Sequence, residues 1–399
     1  VRDEEIVAQQ VGVEVSCGCN SLTLPIWDLI IAQAQTRVFI KSVQQLSLTA
    51  LADLVKAAAS HGGLGKQVSA DLQRAGQVIG SQARGTVKAT KLQLKSDIAA
   101  HLSSVLVAVG TGSVDESAII GFDGFLYLTD GTNAVLSRYS LETSDTIDAR
   151  RSLDWISLFE SRNARLMSAG VKYVQLIVPE KISVLPENFP YSLDTPTRTM
   201  RQIEICARER RLGSYISLLD VLVADSSRQF SYYKTDSHPS PRGNWTFVAA
   251  VLARLGLDNH LTVSWRKAER FSGDLARRFF GVALYEEIDI PAIEWCGKPL
   301  EDPILEEIFE PDGGGHTGHR RVWRSPNAPF PDTAVAFGNS CFERGAHPGG
   351  LSWWFSRLFR KFHFIWSSDL DDVYVTQNRP DIVICQTVER FLFANVPRD

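Results

Sequence analysis

Three short segments carry residue types that could act together. In Tyr232-Tyr233-Lys-Thr-Asp236-Ser-His238-Pro239-Ser240-Pro241 a carboxylate precedes an imidazole by two residues. On an extended chain such side chains share a side, and a turn at Pro239 or Pro241 would bring the carboxylate onto the ring. It would then fix the tautomer and steady the imidazolium formed when the ring accepts a proton. In Ala334-Val-Ala-Phe-Gly338-Asn339-Ser340-Cys341 a serine follows an apolar run and a glycine. At the carboxyl end of a strand that placement aims Oγ outward and gathers backbone N–H groups around a developing oxyanion. Cys341 is a second nucleophile one residue away, and it would need a lowered pKa to act. The third segment, Pro380-Asp-Ile-Val-Ile-Cys-Gln-Thr-Val-Glu389-Arg390, is an apolar run that closes on polar groups. An acid, a base and an alcohol in one site perform acyl transfer through a covalent serine.

Such a set needs strand ends to hold it. From residue 112 onward the pattern alternates strands with helices. Val171-Lys-Tyr-Val-Gln-Leu-Ile-Val178 is β-rich and follows a helical stretch at 155–169, with Gly170 as the helix stop. Leu218-Leu-Asp-Val-Leu-Val-Ala224 reads as a strand or a helix–strand junction. Residues 332–337, 373–375 and 381–385 read as further strands, and the aromatic spacing of 351–359 as a helix. Strand–helix–strand order with apolar strands predicts an α/β fold with a mostly parallel sheet covered on both faces. Functional loops then gather at the carboxyl ends of the strands.

The first hundred residues have another texture. Between Gln67 and Leu106 apolar residues recur at helical intervals without proline, predicting one or two amphipathic helices. We therefore expect a largely helical N-terminal segment at 1–111 and one α/β domain at 112–399. The stretch Ser60-His-Gly-Gly-Leu-Gly-Lys66 fails as a phosphate loop, because Ser60 and Gln67 stand where that motif needs Gly and Ser or Thr.

The chain has 399 residues, 44% hydrophobic and 22% charged, which excludes a mainly disordered protein. Its 42 basic against 46 acidic residues give a net charge of −4, without the concentrated basic face that nucleic acid requires. No apolar run reaches the ~20 residues of a membrane helix, and the opening Val-Arg-Asp-Glu-Glu does not read as a signal peptide. The six cysteines show no zinc-ligand spacing, and Cys385 reads as a small buried hydrophobe.

Five segments, in order over about residues 119–392, resemble the alginate O-acetyltransferase family, whose members acetylate exopolysaccharides in the periplasm and carry an SGNH-hydrolase-like domain. Gly121-Phe-Asp-Gly-Phe-Leu-Tyr-Leu128 resembles its opening G-x-D-G-W-L-F-L. Residues 170–190, with Pro179-Glu-Lys181 and Leu185-Pro-Glu-Asn-Phe-Pro190, resemble its strand followed by P-D-K and P-E-x-L-P. Residues 232–244 resemble its T-D-T-H-W-N segment, 337–342 its G-D-S-F, and 380–392 its P-D-x-V and E-R-x-L. The resemblance implies a three-layer domain with Ser340, His238 and Asp236 as catalytic triad, and Arg390, Asn339 and Tyr233 as substrate-binding residues. It implies no cofactor and no metal. The implied partners are a polysaccharide acceptor and an acetyl donor such as a membrane acetyl-donating protein, in the periplasm or cell envelope. Three departures stand out: Asn339 replaces the aspartate beside the nucleophile, Pro239-Ser240 replaces Trp-Asn, and Cys341 follows the serine.

Two other features compete for a role. His316 and His319 in a Gly-rich loop suggest a metal, but no third ligand has a recognisable spacing, so a surface loop is expected. Arg320, Arg321, Trp323 and Arg324 after it would suit an anionic sugar chain. Trp353, Trp354 and Phe355 are expected to form a core stripe. Three function classes follow: an O-acetyltransferase, a carbohydrate esterase with the same triad, and a non-catalytic carbohydrate-binding subunit.

Overall fold

The computed structural model describes residues 109–399 except 114, 131–133, 141–144, 258–259, 280–284, 313–314, 346 and 398. The helices expected between Gln67 and Leu106 lie outside the described residues. In chain order the strands are β1 (Ala118–Ile120), β2 (Leu126–Leu128), β3 (Lys172–Val178), β4 (Tyr215–Ile216), β5 (Leu261–Phe271) and β6 (Glu286–Trp295). They continue with β7 (Lys298–Pro299), β8 (Ile304–Phe309), β9 (Arg320–Arg324), β10 (Phe330–Gly338), β11 (Phe359–Trp366) and β12 (Ile382–Val388). The main helices are α1 (Asp145–Ser168), α2 (Arg198–Glu209), α3 (Leu218–Ala224), α4 (Pro241–Leu255), α5 (Leu351–Leu358) and α6 (Asp372–Asn378).

A seven-stranded sheet runs in the order β4-β3-β12-β10-β11-β9-β8. Its first five strands are mutually parallel, while β9 and β8 pair antiparallel on one side. The strands β5, β6 and β7 form a separate antiparallel sheet, and β1–β2 a small antiparallel pair. Among the described residues five of nine strand pairings are antiparallel. The fold is therefore mixed α/β, which corrects the mostly parallel expectation. Sequence showed only the apolar central runs; the outer strands, exposed Ile304–Phe309 and Arg-rich Arg320–Arg324, carried no such signal.

The centre of the main sheet is buried on both faces, because β3, β10 and β12 carry apolar residues on both sides. Ala334, Ala336, Ile382 and Ile384 face a core shared with α2, α3, α4 and α5. Val335, Phe337, Val383 and Cys385 face the other way, against Leu166, Leu370 and Val375. Gly170, at φ +76°, ends the turn after α1. Two elements differ from the sequence reading. Residues 218–224 are helix α3, started by Ser217, whose side chain accepts the Asp220 N–H. Residues 373–375 lie in α6, where Asp371 caps the Tyr374 N–H.

Candidate active site

Ser340 sits in the turn that follows Gly338, at the carboxyl end of β10. The turn is closed by the Asn339 carbonyl, which accepts the Phe342 N–H at 2.8 Å and the Glu343 N–H at 3.1 Å. Gln386 Oε1, from β12, accepts the Asn339 N–H at 3.1 Å and packs against Gly338, where an added Cβ would lie 2.8 Å from it. The Asn339 side chain accepts the Cys341 N–H at 3.0 Å, so it fixes the turn around Ser340. Asn339 and Ser340 are half-buried, whereas Cys341 is buried. Burial pushes the Cys341 thiol up to about 12, which leaves it protonated and inert at neutral pH.

Asp236 and His238 come from the segment between α3 and α4. Tyr232 and Pro239 form a bridge, and the chain turns between them. The turn thus precedes the histidine and does not lie at Pro239 or Pro241. Asp236 Oδ1 accepts the His238 N–H at 2.9 Å, the local bond by which an aspartate closes a turn onto the residue two ahead. The same oxygen lies 2.7 Å from His238 Nδ1. A carboxylate accepts only, so Nδ1 carries the proton and Nε2 is left as acceptor. Nε2 lies 2.9 Å from Ser340 Oγ. Ser240 does not build a substrate wall: its hydroxyl caps α4 by accepting the Gly243 N–H at 3.2 Å.

Asp236 is fully buried, yet it is held well below the usual carboxylate range. Burial works to raise it; the His238 hydrogen bond and charge, the Arg344 guanidinium and the Asp274 N–H outweigh burial. Arg344 Nη2 reaches Asp236 Oδ2 at 3.1 Å and its Nη1 lies against His238 Nδ1. Asp274, on the β5 side, donates its N–H to Asp236 Oδ2 at 3.0 Å. Its own carboxylate accepts the Ser237 N–H at 2.7 Å and hydroxyl at 2.6 Å, and lies 3.7 Å from His238 Nδ1. Glu286, at the start of β6, accepts the Lys234 N–H at 2.8 Å and the Thr235 N–H and hydroxyl at 2.6 Å each. From the opposite side buried Lys181 donates to the carbonyls of Asp236, at 2.6 Å, and Leu126, at 2.7 Å. Burial brings the Lys181 ammonium down to about 8.

The sequence reading missed Arg344, Asp274, Glu286 and Lys181 as parts of this site. Arg344 stands four residues after the serine and Lys181 lies in the quoted Pro-Glu-Lys, but nothing in either marks its contacts. Among the other expected residues, Asn339 lies beside Ser340. Tyr233 is buried, stacked on Phe271 with ring centres 4.5 Å apart, its hydroxyl 3.4 Å from His347 Nδ1. Arg390 is buried, in an ion pair with Glu180 at 3.0 Å. Its neighbour Glu389 holds the Glu180 and Thr197 N–H groups at 2.8 Å, so this pair braces the end of β12.

Asp236, His238 and Asp274 bring one ligand atom each within 4.8 Å of one another, a set that could hold a metal ion. The Arg344 guanidinium reaches atoms of the same set and supplies positive charge there. Away from this site His316 stacks on Trp366, with ring centres 4.5 Å apart. Arg320, Arg321 and Arg324 pair with Glu307, Glu343 and Glu306, and Trp323 stacks on Phe362 at 5.8 Å. That surface is charge-compensated and not an open basic patch. Trp354 and Phe355 are buried, as a core stripe would be.

No protein-family model matches this chain, and no curated protein does. Several solved structures are similar to it. The O-acetyltransferase domain of Pseudomonas putida AlgJ is 14% identical over 70% of this chain and 93% of that one, with a TM-score of 0.41. Bacillus cereus PatB1 is 13% identical over 70% of this chain and 98% of that one, with a TM-score of 0.44. Pseudomonas aeruginosa AlgX is 14% identical over 68% of this chain and 61% of that one, with a TM-score of 0.39.

Proposed function

We propose that this protein transfers acetyl groups through an acyl-enzyme on Ser340 to hydroxyls of an exopolysaccharide. The observation that carries the reading is the continuous chain Ser340 Oγ–His238 Nε2 at 2.9 Å and His238 Nδ1–Asp236 Oδ1 at 2.7 Å. His238 Nε2 takes the proton as Ser340 Oγ attacks the acetyl carbonyl, and Asp236 steadies the imidazolium. The Ser340 N–H, which no described residue accepts, is available to the oxyanion, an interaction typically worth about 3–4 kcal/mol per donor. His238 then protonates the leaving group of the donor. An acceptor hydroxyl, losing its proton to the same Nε2, attacks the acyl-serine and releases Ser340, which recovers that proton.

The acetyl group and the sugar acceptor come from the five ordered motifs, which resemble the alginate O-acetyltransferase family. On that reading the described residues form its SGNH-hydrolase-like domain, residues 1–111 an appendage, and the acetyl donor a membrane acetyl-donating protein. The working place is the periplasm or cell envelope; no helix among the described residues is long and apolar enough to cross a membrane. The test is incubation with an activated acetyl ester, with and without oligosaccharide acceptors. Acetylated sugar is the expected product. Acetate alone across several acceptors would make the protein an esterase, and an inert Ser340 would leave a non-catalytic carbohydrate-binding subunit.

A further inference from the structure

The imidazole of His238 faces two carboxylates, and a guanidinium grips only Asp236 directly, while Lys181 and Arg390 act on Asp274 from further off. Asp236 is gripped by Arg344 through both oxygens, Nη2–Oδ2 at 3.1 Å and Nη1–Oδ1 at 3.4 Å. The negative charge of Asp236 is therefore matched by a guanidinium before any proton reaches His238. Asp274 is different. Among the described residues its carboxylate has no ion-pair partner other than His238, whose Nδ1 lies 3.7 Å from Oδ2. Its remaining bonds are neutral donors, the Ser237 N–H at 2.7 Å and hydroxyl at 2.6 Å. Ser237 Oγ itself sits 3.2 Å from Nδ1, between acid and ring. The Asp274 backbone is fixed as well, since its N–H donates to Asp236 Oδ2 at 3.0 Å. Gly273, just before it, lies so close to Thr235 and Asp236 that no Cβ fits.

We propose that Asp274 is a second acid of this site: a positioning residue whose charge, not locked in a guanidinium pair, balances the imidazolium on His238 while Arg344 holds Asp236 in a pair without net charge. In this division Asp236 fixes the tautomer through its 2.7 Å bond, and Asp274 supplies the net charge. The inference rests on the acyl-serine reading and adds to it a residue outside the triad. Asp274 is a third exposed, so its charge is partly screened and its effect smaller than that of Ser340 or His238.

The experiment is a double-mutant cycle read as kcat and KM for an activated acetyl ester. Asp274→Asn keeps an acceptor for the Ser237 donors and removes the charge; kcat is expected to fall about 10- to 100-fold with KM nearly unchanged. Asp274→Glu should restore most of that loss. In an Arg344→Met background the Asp236 charge is no longer paired, and Asp274→Asn should then cost less than about fivefold, because coupled charges do not add. A purely structural Asp274 would cost the same factor in both backgrounds, and that result would overturn the proposal. So would an Asp274→Asn enzyme with wild-type kcat. If Asp274→Asn does not fold, Asp274→Ser, which also keeps an acceptor, takes its place in the cycle. Failure of the wild-type enzyme to acylate at Ser340 is a separate outcome: it removes the underlying reading, and with it the proposal.

Discussion

At the scale of single residues, the site sets two side chains with opposite surroundings on adjacent positions. Ser340 is half-exposed and bonded to a base; Cys341 is buried with its thiol pushed up. Ser340→Ala is expected to abolish acetate release with little change in Tm, since the side chain contributes little packing. His238→Ala should cost a similar factor, because triad members act as a unit. Cys341→Ala should keep activity within about tenfold while losing about 1–2 kcal/mol of stability for the small cavity; thermal melts and steady-state rates check both. Lys181 gives a pH signature. Its ammonium titrates at about 8 when folded, against about 10.4 in an unfolded chain. The folded state thus binds that proton less tightly, and between those values stability rises with pH. In Lys181→Met the slope of stability from pH 8 to 10 should flatten; an unchanged slope would show that another group carries it. Ser340, His238 and Asp236 were legible in the sequence because each lies in a short motif whose spacing expresses its role. Asp274 and Glu286 were not, since they reach the site from the loop after β5 and the start of β6, 36 or more residues along the chain, a distance that local pattern cannot express.

At the scale of elements, the strands carrying the site were readable because they hold buried apolar runs ended by glycine or polar residues, as in β3, β10 and β12. Misreadings fell where periodicity was short. Leu218–Ala224 is a seven-residue apolar run whose buried members, Leu218, Leu219 and Leu222, follow a helical spacing too brief to distinguish from a strand. In Asp372–Asn378 the β-branched residues suggested a strand, but the Asp371 cap decides for helix. Arg390, in the short turn after β12, is turned inward to Glu180, a partner 210 residues away that local pattern does not express. The loop after β5 matters as much as the strands. Gly273→Ala must push apart the Thr235–Asp236 turn and the Asp274 segment, which should cost about 1–3 kcal/mol and lower kcat more than tenfold. Crystallography or NMR of the variant should show Asp236 displaced from His238. An active variant with wild-type stability would mean that the loop yields at no expense to the acid.

For the whole molecule, the reading places all of the chemistry in the domain that begins near Gly110, whose N–H donates to Ile120 at 2.7 Å and so belongs to the body. Removing residues 1–108 should leave cleavage of a small activated acetate within about tenfold; folded but inactive protein would assign the N-terminal segment a part in the site. Transfer and hydrolysis share every step up to the acyl-serine and part only at the second nucleophile, so that intermediate is the decisive species. It can be trapped directly. Wild-type protein quenched with acid after brief exposure to an activated acetyl ester, then digested and mapped by mass spectrometry, should carry one acetyl group on the peptide holding Ser340. The label should vanish in Ser340→Ala and accumulate less in His238→Ala. An acetyl group on Cys341, or an unlabelled peptide while acetate is still being released, would contradict catalysis through Ser340.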